Sequence, residues 1–352
     1  MTCKKKVLVA PLNWGLGHAT RCIPIINALI KANYEPILAS DGDALILLQK
    51  EFPLLKSYTL PSYNIKYSKS GQNLKFKLVL SIPSVIAAVK KEHALVAKII
   101  KKEAIVGIIS DNRFGVYNSN IPSVYITHQL TVLSGKTTGI TSKTHQKIIK
   151  NFNECWVPDV QNEPNLSGNL GHLQTHDFNL KYLGVLSRFK PVKSIIKYKL
   201  LIVLSGPEPQ RTLLEEKLLL ELKNYQGKVL FVRGTLENNT VLKVPKNIEI
   251  KNYLLTDGLE RALNESELII ARSGYSTIMD VAVLGKKAFF IPTPGQYEQE
   301  YLAKTLKEKL IAPYSNQQDF SLEKLNEIEN YTGFNKTASK VDLNRFLLFE
   351  RK

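Results

Sequence analysis

One rhythm constrains this chain more than anything else in it: short apolar, β-branched runs alternate with longer amphipathic segments, and the pattern restarts halfway along. Val7–Leu12, Glu35–Ser40, Ala104–Ser110, Ser123–His128 and Glu154–Val157 read as strands of a first sheet. Lys199–Gly206, Lys228–Gly234, Ile248–Tyr253, Leu268–Ser273 and Ala288–Thr293 read as strands of a second. Between them lie helical patterns at Arg21–Lys31, Thr212–Lys223, Leu259–Leu263 and Ser276–Leu284. Strand–helix alternation predicts mostly parallel sheets covered on both faces. The pattern breaks at SRFKPVKSIIKY (Ser187–Tyr198), which has a proline and several positive charges but no periodicity. KLLIVLSG then begins a fresh first strand. The expected fold class is α/β, two Rossmann-like doubly wound domains in tandem, spanning 1–190 and 191–340. Val341–Phe349 reads as a closing helix in a tail of 341–352. The 352 residues suffice for two separate cores.

Composition narrows the class. Hydrophobic residues at 44% and charged residues at 22% mark globular material. Cys3, Cys22 and Cys155 share no metal-ligand or redox spacing, which points to a reducing compartment. The first apolar run gives way to a glycine-rich loop instead of a cleavage site. The longest apolar stretch, Leu78–Val89, is interrupted by Ser81, Pro83 and Ser84 and is too short to span a bilayer. The expected location is the cytoplasm, with peripheral contact on the inner face of the membrane as an option. Of the net charge of +17, residues 1–190 carry +13 and residues 191–352 carry +4. The basic half either meets an anionic partner or is a solvated lysine-rich surface. Lys66, Lys69, Lys75, Lys77, Lys90, Lys91, Lys98, Lys101 and Lys102 flank the apolar LVLSIPSVIAAV. That arrangement suits anionic lipid headgroups, or equally a core helix with solvated flanks. No nucleic-acid-binding motif accompanies the lysines, so nucleic acid is not an expected partner.

Ligands of open α/β sheets bind at the carboxyl ends of the strands. In the first domain, strand one runs into Asn13-Trp14-Gly15-Leu16-Gly17-His18, with Arg21 a turn into the helix. Later strands end at Asp41-Gly42-Asp43, at Asp111 and at His128. Gly15 and Gly17 allow a tight turn or a close backbone approach to a ligand. His18, near a helix N-terminus, is expected to stay neutral and to suit removal of a proton from a hydroxyl. The competing reading is a helix-starting turn with a capping histidine. Asp111 is a second candidate base, an orienter of His18, or a helix cap. His128 reads as structural. The GxGH sequence is not a dinucleotide fingerprint, because Thr20 occupies the third glycine position.

In the second domain, LIIARSGYSTIMDVAVLGKKAFFIPTPGQYEQEYLA (Leu268–Ala303) brings Arg272-Ser273-Gly274 from a buried strand to a helix start. Backbone amides and a helix dipole make such a point a diphosphate cradle. Asp280 lies further along the helix, and Gln296, Glu298 and Gln299 follow the Pro292-Thr293-Pro294-Gly295 turn. This segment resembles the C-terminal donor region of family 28 glycosyltransferases. In that family an R-S-G precedes a helix with an acidic residue, and a P-x-P strand end leads to a Q-Q or E-Q pair. The resemblance covers about 35 residues in order and spacing. It implies a GT-B fold, with the two domains facing across a cleft. By the match, Ser273 and Gly274 face the diphosphate, Asp280 the ribose, and Glu298 and Gln299 the sugar, with Arg272 beside them. Ser205-Gly206 is similar to the family's second phosphate-side turn, and Tyr253-Leu254 occupies the place of its uracil loop. There are departures: Asp280 is shorter than the usual Glu, Leu302 stands where Asn is common, and GLGHATR differs from the GGTGGH-type loop. The implied activity is inverting transfer of a hexose or N-acetylhexosamine from a nucleotide-sugar, UDP-linked by expectation. The acceptor is a hydroxyl, lipid-linked in one reading, with no cofactor and no metal. The rivals are a sugar-nucleotide 2-epimerase of the same fold and a non-catalytic nucleotide- or anion-binding module.

Overall fold

A computed structural model describes residues 4–63, 74–235, 243–335 and 337–350. Cys3, Lys66 and Lys69 therefore lie outside the described residues. Contacts divide the chain into two compact units. The body of the second is Phe189–Ala338, and the first combines the preceding residues with Ser339–Lys352.

In the first unit β1 (Lys6–Pro11), α1 (Gly17–Lys31), β2 (Glu35–Ser40), α2 (Gly42–Glu51), β3 (Ser57–Thr59), α3 (Leu74–Glu103), β4 (Ile105–Asp111), β5 (Ser123–Ile126), α4 (Thr138–Ile149), β6 (Glu154–Val157) and β7 (Leu180–Tyr182) follow one another. The strands form one sheet in the order β3-β2-β1-β4-β5-β6-β7, and every pairing is parallel. Such strands bury both faces and read as nearly unbroken apolar runs, as KVLVAP and EPILAS do. One face packs Leu8, Ala10, Ile37, Ala39 and Ile108 against Val96 and Ile99 of α3. The register sets Pro11 beside Asp111, so β1 and β4 end together.

The lysines in the second half of α3 occupy its outer side. Ala88, Glu92, Val96, Ile99 and Glu103 are buried at helical spacing, and Lys90, Lys91, Lys98, Lys101 and Lys102 are exposed. No described helix is long and apolar enough to cross a membrane.

The second unit holds β8 (Tyr198–Val203), α5 (Gln210–Glu221), β9 (Val229–Val232), β10 (Ile248–Lys251), α6 (Thr256–Asn264), β11 (Ser266–Ala271), α7 (Tyr275–Leu284), β12 (Lys287–Phe290) and α8 (Tyr297–Glu308). Its sheet is again wholly parallel, in the order β10-β9-β8-β11-β12. Val203 pairs with Ala271 and with Val232, and Ala271 pairs with Phe290, so the four strands finish level. Leu200, Ile202, Leu214, Leu218, Phe231, Ile270, Phe289 and Phe320 form its core.

Three local expectations differ from the fold. The helix expected from Arg21 begins at Gly17, which places His18 in its first turn. The three-residue edge strands β3 and β7 had no sequence signature, being too short for a period and only partly buried. The segment read as a separate tail, 341–352, belongs to the first unit, where Leu343–Glu350 is a 3₁₀ segment. Phe346 and Phe349 are buried. A Cβ on Gly107 of β4 would lie 2.2 Å from the Phe349 ring, so glycine there lets the ring rest directly on the sheet. Phe349→Ala is expected to destabilise the protein by about 3–5 kcal/mol, the usual range for emptying a buried aromatic site, as read by denaturant unfolding.

Candidate functional site

The chemistry-bearing residues of the first unit gather where β1 and β4 end. Asp111, the last residue of β4, is fully buried, and Arg21 of α1 grips both of its carboxylate oxygens through Nε and Nη2. Arg21 also donates through Nη1 to His128 Nδ1 at 3.0 Å. His18 Nδ1 lies 2.8 Å from Asp111 Oδ1. Arg21 Nη2 is 2.8 Å from the same ring nitrogen, but a guanidinium only donates. We assign the proton to Nδ1, because a bare Nδ1 would set a lone pair against the carboxylate. Nε2 is then the basic nitrogen. The His18 side chain keeps 14% of its exposure, enough for solvent or a ligand to reach it.

The electrostatics separate the two candidate bases. Burial, followed by the Arg21 charge, lowers the His18 pKa below 6.5 despite the opposing pull of Asp111. The imidazole is therefore neutral at neutral pH, through desolvation and Arg21 more than through the helix dipole. Burial raises the Asp111 pKa, but the Arg21 and His18 interactions outweigh it and bring the group down to about 2. Asp111 is therefore ionised and a weak base.

The remaining first-unit residues have structural placements. Gly15 turns at φ +75° with open space where a Cβ would stand, and Gly17 starts α1. Asp41 of the Asp41-Gly42-Asp43 sequence is bound by Arg113 Nη1 at 2.7 Å and Asn13 Nδ2 at 3.3 Å. Arg113 also donates to Glu92 and to the Pro61 carbonyl. This buried network ties together the ends of β2 and β4 and the middle of α3. Sequence reading missed it, because its partners are far apart in the chain.

In the second unit the parallel register brings the expected donor residues to one edge. Ser205 and Gly206 follow β8, Tyr253 and Leu254 follow β10, and Arg272-Ser273-Gly274 join β11 to α7. Asp280 lies half-buried in the second turn of α7, and Glu298 half-buried in the first turn of α8. Gly274 is the N-cap of α7, and no side chain caps that helix.

Two expected donor contacts are corrected. Arg272 is only 1% exposed, and its guanidinium is committed inward. It donates to the carbonyls of Ile291, Pro292 and Gln210 and to Gln317 Oε1 at 2.7–3.1 Å. It clamps the strand end through Nη1 and Nη2, and its Nε has no partner among the described residues. Ser273 is likewise buried, and its hydroxyl donates to the Gln299 carbonyl at 2.8 Å. Gln299 in turn accepts from the Thr293 amide through Oε1 at 2.8 Å. These residues lock the β11–α7 and β12–α8 turns together, and only backbone is left at Gly274 to approach an anion. Sequence reading passed over Gly234, where a Cβ would sit 2.1 Å from the Leu204 carbonyl. A glycine directly after a strand was the available signal. Among the described residues no group of three or more His, Cys, Asp or Glu is placed to hold a metal ion.

The fold has counterparts among known proteins. Residues 205–338 match the glycosyltransferase family 28 C-terminal domain. Over 335 residues the chain is 24% identical to the UDP-N-acetylglucosamine--N-acetylmuramyl-(pentapeptide) pyrophosphoryl-undecaprenol N-acetylglucosamine transferase of Haemophilus ducreyi, covering 91% of this chain and 88% of that enzyme. Among solved structures, the spinosyn rhamnosyltransferase SpnG superposes with a TM-score of 0.62 at 15% identity, covering 94% of this chain and 93% of that one. The MurG protein of Acinetobacter baumannii gives a TM-score of 0.53 at 16% identity, covering 93% and 90%. The fold and the site thus define a glycosyltransferase of GT-B architecture, which transfers a sugar from a nucleotide-sugar. The family 28 likeness falls within its second unit.

Replacing the Arg272 clamp tests the corrected assignment. A lysine cannot reproduce its fork of donors, and the abandoned carbonyls would be buried without partners. Arg272→Lys is expected to cost about 2 kcal/mol or more in chemical denaturation of the full chain.

Proposed function

We propose that this glycosyltransferase moves a hexose or N-acetylhexosamine from a UDP-sugar to an acceptor hydroxyl with inversion at the anomeric carbon, and that His18 is the base. The observation that carries this reading is the His18–Asp111–Arg21 cluster, which presents a neutral imidazole with its Nδ1 held by a carboxylate. His18 Nε2 takes the acceptor proton as the hydroxyl oxygen attacks the anomeric carbon from the side opposite the diphosphate. The bond from that carbon to the phosphate oxygen breaks, and the nucleoside diphosphate leaves. Asp111 stabilises the imidazolium that forms, and Arg21 keeps Asp111 ionised and fixed. The second unit holds the donor. Backbone amides at the start of α7 and in the Ser205-Gly206 turn face the diphosphate, so the mechanism routes no step through a metal. Asp280 faces the ribose, Tyr253 and Leu254 the base, and Glu298 the sugar hydroxyls.

A lipid-linked acceptor in cell-envelope glycoconjugate synthesis, met at the cytoplasmic face of a membrane, is the acceptor class we favour. Two observations support it. The Haemophilus relative is named for an acceptor on a pyrophosphoryl-undecaprenol carrier. The outer side of α3 offers five exposed lysines beside the half-exposed Ile86. A lysine near an anionic surface contributes roughly 1 kcal/mol to binding.

His18→Ala is expected to lower turnover by about 10²-fold or more while donor affinity changes little. Wild-type activity in that variant would remove His18 from the chemistry. Because the base works only when neutral and its pKa lies below 6.5, the acid limb of kcat/KM should fall below pH 6.5. Activity would be lost as the pH drops through that lowered pKa. Replacing Lys90, Lys91, Lys98, Lys101 and Lys102 with Gln should abolish co-sedimentation with anionic vesicles and leave UDP binding unchanged. Equal sedimentation of wild type and variant would leave α3 as a solvated surface.

A further inference from the structure

The turn after β12 carries a polar group that the second unit leaves unanswered. Thr293 is 1% exposed, and its hydroxyl has no hydrogen-bond partner among the described residues. Three residues on, the Gln296 side-chain oxygen is also buried without one. Buried hydroxyls are almost always paired, and one that is not calls for a water, an ion or a ligand. The rest of Thr293 is held firmly. Its amide donates to Gln299 Oε1, and Arg272 fixes the two carbonyls that precede it. The hydroxyl is therefore presented by a rigid turn.

What surrounds the hydroxyl selects an anion. A Cβ on Gly206 would come to 3.8 Å from Thr293 Oγ1, so the hydroxyl lies against the Gly206 turn. Gly206 holds φ at +105°, a backbone that L side chains rarely adopt. Behind the same strand end lies the Arg272 guanidinium, whose hydrogen bonds go to neutral oxygens, with no carboxylate paired to it among the described residues. A buried cation without a counter-charge makes the neighbouring turn attractive to negative charge. Across the turn, Gln299 Nε2 sits 4.0 Å from where a Cβ on Gly274 would stand, which links Thr293 to the N-terminus of α7. An orphaned donor, a glycine turn, an uncompensated cation and a helix N-terminus all meet at one strand edge.

We propose that Thr293 is a donor-binding residue whose hydroxyl donates a hydrogen bond to a phosphate oxygen of the nucleoside diphosphate, beside the Gly206 turn. This rests on the second unit being the donor domain, and it adds a contact to that site. Arg272 contributes its charge through space and Thr293 makes the contact. Because the contact is to the diphosphate, it does not distinguish one base from another.

The test uses the full chain, calorimetry with UDP, GDP and dTDP, and the variants Thr293→Val and Thr293→Ser. Valine keeps the shape and removes the hydroxyl. If that hydroxyl serves only a ligand, the ligand-free melting temperature of Thr293→Val should be unchanged or higher. Its affinity should fall about tenfold or more, by the same factor for each diphosphate that the wild type binds, since a hydrogen bond to a charged group is lost. Thr293→Ser should stay within about threefold of wild type. Wild-type affinity in Thr293→Val, or a loss confined to one base, would overturn the contact and leave the donor domain standing. A ligand-free protein that melts markedly lower as Thr293→Val would show the hydroxyl to be structural and overturn it as well. Failure of the wild type to bind any of the three nucleotides would overturn the donor reading and this inference together.

Discussion

Parallel strand pairing is the constraint on which both units depend. A sheet whose strands all run one way needs a crossover after each strand, and the crossovers cover both faces. Polar chemistry then has room at the carboxyl edge, where each strand opens into a loop. The registers of β1 with β4, and of β8, β9, β11 and β12, bring those openings level. Residues scattered over ninety positions, such as His18 and Asp111, become hydrogen-bonded neighbours for this reason.

The two edges are equipped differently. In the first unit one buried carboxylate organises the His18 cluster: Asp111 takes the Arg21 fork on both oxygens and the His18 ring on one. A buried carboxylate is tolerable only when paired and hydrogen-bonded, and here both conditions are met. The pairing fixes the imidazole's orientation and leaves it uncharged, which is the state a general base requires. In the second unit Arg272 is a buried charge held by neutral oxygens, three carbonyls and Gln317 Oε1. It shapes the edge by clamping the chain after β12 and leaves the turn electropositive. One edge thus carries a neutral imidazole on a buried carboxylate, and the other a buried cation near a helix N-terminus.

The family 28 likeness falls on the second unit, and the local geometry there departs from what that likeness implies. The R-S-G sequence suggests three residues pointed at a diphosphate. In the structure Arg272 and Ser273 are turned inward, and only Gly274 remains at the surface of the cradle. Side chains that the sequence suggests as ligand contacts hold the backbone of the turns.

The sequence by itself determined the α/β class, the two-unit organisation, the strand that opens each unit and the cluster of glycines and polar residues at strand ends. These follow from local periodicity and from the backbone freedom of glycine, which neighbours in the chain are enough to reveal. Tertiary structure alone decided which polar groups face a ligand and which are committed inside. Nothing near Arg272 in the sequence marks its partners Gln210 and Gln317, nor does Arg113 announce Asp41 and Glu92. Nor does the sequence show that Phe346 and Phe349, more than three hundred residues after β1, complete the first core. Burial and hydrogen-bond pairing are properties of groups brought together across the chain, and only the folded arrangement assigns them.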